Sequence, residues 1–176
     1  AQLSPIAWSI SSQREFDPIL DIHIGVLSSS IGGHGADGIC KPEPNKPDSA
    51  TLDDKAYLLN REDATDLNKK VATWNDKGFL VWDPSSEAPT HTPQGETVIG
   101  NLIGNLQKMV GGVGELGCGY EAQLEAWYRF LIEPTPYETL EVQNSKTVAV
   151  GTDQALLNQR ADFLRPDSLL AIIMLT

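Results

Sequence analysis

The chain has 176 residues, a length that suits one domain with a substantial hydrophobic core. Its apolar fraction of 40% and charged fraction of 21% exclude wholesale disorder and a fibrous repeat, and no apolar run is long enough to span a bilayer. The net charge of −11 makes the surface acidic, so we expect no nucleic acid and no membrane insertion; cations or basic partners fit better.

The first part of the chain predicts one strand and a long loop. A helix is expected to end near Asp17, and a buried strand follows over 20–27, where apolar/polar alternation turns into a continuous apolar run. Residues 31–76 are poor in aliphatic side chains and rich in Pro, Asp, Asn and Lys, which indicates a loop insertion that buries little surface. We expect it to contain a short helical piece, as at 52–59, or to be tied down by a disulfide.

The second half predicts a short strand, three helices and a final strand. The short strand, 78–82, is followed by a proline and suits a sheet edge. Apolar positions with helical period predict helices over 95–110 and 120–132, and Thr152 is expected to cap a third that ends before Pro166. The continuous apolar run 169–175 has the composition of a strand covered by helices on both faces. This order predicts an α/β fold with parallel strands.

Trp127 and Tyr128 lie on the predicted apolar face of the second of these helices, so we expect both in the core. Ahead of that helix, residues 112–117 have the GxGxxG spacing of dinucleotide-binding loops. That motif must follow a buried strand, and here it follows a helical pattern. We therefore interpret these glycines as a turn between helices.

Two interpretations compete for Cys118. It lies at the predicted start of a helix, where the helix dipole lowers a thiol pKa, and His23, His34 and His91 are available as bases for a cysteine hydrolase. A Cys40–Cys118 disulfide is the more economical interpretation, because it would fasten the insertion to the rest of the domain. Two free buried thiols remain a third alternative.

Three groups of polar residues are candidate ligand sites. His34, Asp37 and Cys40 are close in sequence, but a structural zinc site needs four ligands and no second ligand pair has suitable spacing. His23 lies between two isoleucines of a strand, so we expect it to be packed and hydrogen-bonded. The serines at 28–30 follow the carboxyl end of a strand, from which they can reach a ligand.

Three strings and the order of elements resemble the von Willebrand factor type A (VWA) domain, in particular its secreted bacterial cell-surface variants. The strings are DIHIGVLSS (21–29), GCGYEAQLEA (117–126) and LRPDSLLAIIMLT (164–176). The resemblance implies a three-layer, Rossmann-like sheet with helices on both faces and a short antiparallel edge strand. It equates 20–27 with the family's second strand and 169–175 with its fourth, so residues 1–176 are expected to form one partial domain.

In this comparison the chain lacks the family's first strand and the segment after the fourth. Because the first strand normally lies between the second and the fourth, the strands 20–27 and 169–175 are expected either to leave a gap or to pair directly. Cys40 and Cys118 are expected close together in space, at the ligand-binding edge of the sheet.

The family typically binds Mg²⁺ or Ca²⁺ through hard oxygen ligands at a metal-ion-dependent adhesion site. None of those ligands carries over: Asp-x-Ser-x-Ser is absent, the final Asp would come after Thr176, and the loop 111–119 has no Thr. Ser28, Glu115 and Glu121 are weak candidates that depart from the family pattern. We expect no cofactor in this chain, and Mg²⁺ or Ca²⁺ only in a full-length parent.

The resemblance implies a ligand-binding or adhesion module, not an enzyme, with a protein or cell-surface ligand. It also implies an extracellular or cell-surface location, although the chain contains no recognisable signal peptide. The alternatives are a cysteine-dependent hydrolase that uses Cys118 and a purely structural surface domain with a degenerate metal site.

Overall fold

A computed structural model describes residues 18–34, 36, 53–85, 87–115, 117, 118 and 120–175. The helix expected to end near Asp17 lies outside these residues, as do Asp37 and Cys40. Within them, the chain is a mixed α/β protein with three helices and two antiparallel sheets of two strands each.

The first sheet joins two segments that are far apart in the chain. Strand β1 is Ile22–Gly25 and strand β2 is Phe79–Trp82; they pair antiparallel, with Ile22 opposite Trp82 and Gly25 opposite Phe79. Apolar residues alternate along β1, β2 is apolar throughout, and β-branched residues in both strands favour this extended backbone. The strands predicted over 20–27 and 78–82 are therefore both present, each shorter than its sequence pattern.

The three predicted helices are present with shifted ends. Helix α1 is Ile99–Val113, helix α2 is Gln123–Leu131 and helix α3 is Gln154–Phe163. The cap of α3 is Asp153, whose carboxylate accepts the amide of Leu156 at 3.0 Å, so the prediction of Thr152 as the cap is wrong by one residue. None of the helices in the described parts of the chain is both long and apolar enough to cross a membrane.

A second sheet was not predicted. Strand β3, Thr139–Gln143, and strand β4, Lys146–Val150, form a hairpin whose turn residues Asn144 and Ser145 both have positive φ. Two left-handed residues in a two-residue loop give the twist that such a hairpin needs. Asn at the first of these positions, between alternating polar and apolar residues, was the available sequence signal.

The final apolar run does not form the expected strand. Residues 169–175 have no regular structure, and their large side chains are exposed, with Leu169 at 97% and Ile173 at 84%. The expectation that strands 20–27 and 169–175 leave a gap or pair directly is therefore wrong, because 169–175 is not a strand. A continuous apolar run becomes a strand only where a sheet and helices cover it, and the described residues supply no parallel sheet for that purpose.

The insertion buries more than its composition suggested. Ala56 and Leu58 are buried with Phe79 and Phe130 in one hydrophobic cluster, and Val71 belongs to a second. The described part of the predicted helical piece, residues 53–59, contains a turn in which Lys55 and Ala56 have positive φ. A few well-placed aliphatic residues thus make this segment part of the core.

Helix α2 turns a different face to the core from the predicted one. Its buried residues are Ala126, Arg129 and Phe130, whereas Tyr128 is 44% exposed and Trp127 is only partly buried. Arg129 fixes this orientation because its guanidinium donates to the Lys55 and Tyr137 carbonyls and pairs with the Asp153 carboxylate. The expectation that Tyr128 belongs to the core is wrong.

A buried ion pair connects three segments. The Arg61 guanidinium pairs with both oxygens of Asp54, and it also donates to the carbonyls of Gly112 at 2.6 Å and Val113 at 3.2 Å. On the other side, the Ser28 hydroxyl donates to Asp54 Oδ2. The segment after β1, the insertion and the last turn of α1 are therefore held at one point.

This pair allows a stability test. Asp54→Ala leaves the buried Arg61 charge without its carboxylate, so we expect a loss of about 3–5 kcal/mol in the free energy of unfolding. Asp162→Ala removes the half-exposed partner of Lys77 and should cost less than about 1 kcal/mol. Denaturant unfolding measures both losses of stability. Equal losses would show that Arg61 is not left as an uncompensated buried charge in the Asp54→Ala variant.

The exposed run 169–175 predicts association. Because large apolar side chains lie in solvent there, we expect the wild-type mass in light scattering to rise with concentration. A double variant, Leu169→Ser with Ile173→Ser, should reduce this rise. Val142→Ser, which removes an exposed apolar side chain from the hairpin, is the control and should leave it unchanged. A wild-type protein that stays monomeric at all concentrations would contradict the prediction.

Candidate functional site

The residues after β1 lie against the start of α2. Ser30 and Glu121 form an isolated antiparallel bridge, and the Ala122 amide donates to the Ser29 carbonyl at 3.2 Å. The serine hydroxyls contact three different places: Ser28 donates to Asp54, Ser29 donates to Glu121 at 2.7 Å, and the Cys118 amide donates to Ser30 at 2.6 Å. The serine run thus forms the edge at which the residues after β1 meet the start of α2.

A shallow depression of about 410 Å³ opens next to this edge. It is lined by His34, Tyr120, Glu121, Ala122, Gln123, Leu124 and Glu125. His34 Nδ1 lies 3.8 Å from the Glu125 carboxylate, and the Tyr120 ring is 60% exposed beside it. An aromatic face and two carboxylates on an open surface can contact a cationic group.

The three weak metal candidates are placed differently from one another. Ser28 is buried and donates to Asp54, while Glu121 is exposed and accepts from Ser29. Glu115 is exposed just after the end of α1. The structure therefore brings Ser29, and not Ser28, to Glu121.

Cys118 is buried, with 3% of its surface exposed. No cysteine in the part of the chain that the structure describes is a free thiol. Cys40, the only other cysteine of the sequence, lies outside the described residues, so its pairing with Cys118 stays a prediction. The glycines of the GxGxxG spacing begin inside α1 and not after a strand, as the interpretation of a helical context required.

His23 is packed and hydrogen-bonded. Its ring lies among those of Trp74, Phe79 and Phe163, and its Nδ1 donates to the Phe163 carbonyl at 2.7 Å. Burial lowers the pKa of His23, because charging the ring there would cost solvation. Its other nitrogen lies 2.8 Å from Nε2 of His91, a contact across 68 residues that no local motif signals.

Comparisons of the chain with protein-family models, curated proteins and solved structures found no match. The resemblance to VWA domains therefore stays a prediction from the three strings.

The cysteine pairing can be tested by thiol labelling. If Cys40 and Cys118 are bonded, neither thiol should react with a maleimide in native or denaturing buffer until a reductant is added, and both should then react. Intact-mass measurement counts the labels, and a mass shift of one or two labels without reductant would contradict the pairing.

Proposed function

We propose that this chain is an extracellular, VWA-like ligand-binding module and not an enzyme, and that its ligand is a protein presenting basic side chains. The observation that carries this proposal is the depression beside the serine run, where Tyr120 and two exposed carboxylates, Glu121 and Glu125, face solvent together.

The chemistry of the depression favours arginine. A guanidinium can stack on the exposed Tyr120 ring while it donates hydrogen bonds to the carboxylate of Glu121 or Glu125. The net charge of −11 adds long-range attraction for a basic partner. Each exposed contact contributes about 1 kcal/mol or less, so useful affinity would need several basic groups or several copies, as adhesion modules use.

We also propose that the domain has the three-layer VWA architecture. It is supported by the order of elements, with an antiparallel edge strand β2 ahead of α1, α2 and α3. It is also supported by the exposed apolar run 169–175, which has the composition of a central strand. In this proposal, a Mg²⁺- or Ca²⁺-dependent site belongs to a full-length parent.

The side chains that catalysis would use are buried or bonded to other groups, which suits a binding role. Cys118 is buried, which keeps its sulfur from a substrate, and the hydroxyls of Ser28 and Ser29 donate to carboxylates. His34 lies beside the Glu125 carboxylate, and His23 and His91 contact each other. A buried thiol, and hydroxyls that donate to carboxylates and not to an imidazole base, favour recognition over nucleophilic chemistry.

The test is a titration of the ¹⁵N-labelled protein with an arginine-rich peptide, compared with a peptide in which neutral citrulline replaces each arginine. We expect amide shifts at Tyr120 and Ala122 with the first peptide only, weakened by salt. Glu125→Gln should raise Kd about two- to fivefold. Glu141→Gln, which neutralises an exposed carboxylate on β3, is the matched control.

Two results would contradict the proposal. Equal shifts with the citrulline peptide would show that no cation is recognised. An equal effect of Glu141→Gln would show that the peptide responds only to the net charge of the protein, and not to the depression.

A further inference from the structure

A cluster of two histidines and an aspartate lies away from the depression, where β1 begins. His23 belongs to β1, Asp21 precedes that strand, and His91 comes from the loop between β2 and α1. One ligand atom from each of them lies within 4.8 Å of the others. Neither histidine nor Asp21 contributes to the proposed ligand site, so an inference from this cluster does not depend on that function.

The hydrogen bonds of His23 decide which of its nitrogens carries the proton. The Phe163 carbonyl can only accept, so Nδ1 of His23 carries the hydrogen and Nε2 of the neutral ring presents a lone pair. That lone pair points at Nε2 of His91, 2.8 Å away. A histidine that donates through one nitrogen to a backbone carbonyl and offers the other is typical of metal ligands.

His91 also has polar partners at Nδ1, the ring nitrogen that does not contact His23. Its Nδ1 lies 2.9 Å from the Thr90 hydroxyl and 3.7 Å from the buried carboxylate of Asp83. Asp83 accepts the backbone amides of Thr90 and His91 at 3.0 Å, which holds the loop in place. A carboxylate beside Nδ1 favours the hydrogen there, so Nε2 of His91 also offers a lone pair toward the cluster.

Asp21 supplies a third acceptor. Its Oδ2 pairs with Arg165, but its buried Oδ1 has no hydrogen-bond partner among the described residues, and it lies 3.8 Å from Nε2 of His91. Three electron-pair donors therefore converge, and a cation relieves their mutual repulsion. A hydrogen bond between the two rings is the competing arrangement, and it would leave Asp21 Oδ1 unpartnered.

We propose that His23, His91 and Asp21 bind a divalent transition-metal ion of the Zn²⁺ type. Two imidazoles and one carboxylate suit Zn²⁺ and its neighbours in the first row, whereas Mg²⁺ and Ca²⁺ prefer oxygen ligands. Ligand bonds of about 2.0–2.2 Å require neighbouring ligand atoms to lie about 3.3 Å apart, so the two rings need to separate by about 0.5 Å. The bound ion would fasten the β2–α1 loop to the start of β1.

The first experiment is calorimetric titration of the full, chelator-treated chain with Zn²⁺ and separately with Mg²⁺. We expect one Zn²⁺ per chain with low-micromolar or tighter affinity, and no comparable heat with Mg²⁺. His91→Ala should weaken Zn²⁺ binding more than about 100-fold, and Asp21→Asn should also weaken it. Asp162→Asn alters an ion-paired aspartate outside the cluster and is the matched control, with unchanged affinity.

A second measurement keeps the test decisive if a variant fails to fold. Wild-type protein loaded with Co²⁺ should show the strong visible absorption of a four- or five-coordinate nitrogen and oxygen site. The proposal is overturned if the wild type binds no Zn²⁺, if folded His91→Ala binds it as tightly, or if Co²⁺ gives only the weak spectrum of a six-coordinate aqueous ion. The first of these results would indicate that the two rings share a proton instead.

Discussion

The buried pair between Asp54 and Arg61 is the constraint on which the rest of the arrangement depends. A buried guanidinium is costly unless its donors are satisfied, and here they are shared between a carboxylate and two carbonyls at the end of α1. The same carboxylate accepts from Ser28, so it sets where the chain leaves β1. The position of the serine run, and with it the edge that contacts α2, follows from a network that contains no part of the proposed ligand site.

The sequence predicted β1, β2 and α1 from the apolar pattern within each element. The helical period of α1 and the strand patterns of β1 and β2 were sufficient, because apolar periodicity reports directly which side chains one element can bury. The orientation of α2 was not predictable in this way. It depends on Arg129, whose polar contacts come from Lys55, Tyr137 and Asp153, and no periodicity in the helix records distant carbonyls.

The candidate sites also differ in how far the sequence could predict them. The serines after β1 were identifiable, because strand ends often carry ligand-binding groups and the pattern shows where the strand ends. The partnership of His23 with His91 had no such signal, since the two residues belong to different segments with no motif spacing between them. It required the antiparallel register of β1 and β2, which places the β2–α1 loop beside the start of β1.

The last turn of α1 also explains one glycine of the dinucleotide-like spacing. A Cβ atom at Gly112 would lie 2.0 Å from the Arg61 carbonyl oxygen, so this glycine admits another part of the same chain and not a phosphate. Gly100, Gly104 and Gly111 face open space, where alanine would favour the helix by about 1 kcal/mol. In a set of related sequences, those three positions should therefore drift freely, while position 112 should keep its glycine for as long as the backbone at residues 61 and 62 packs against α1.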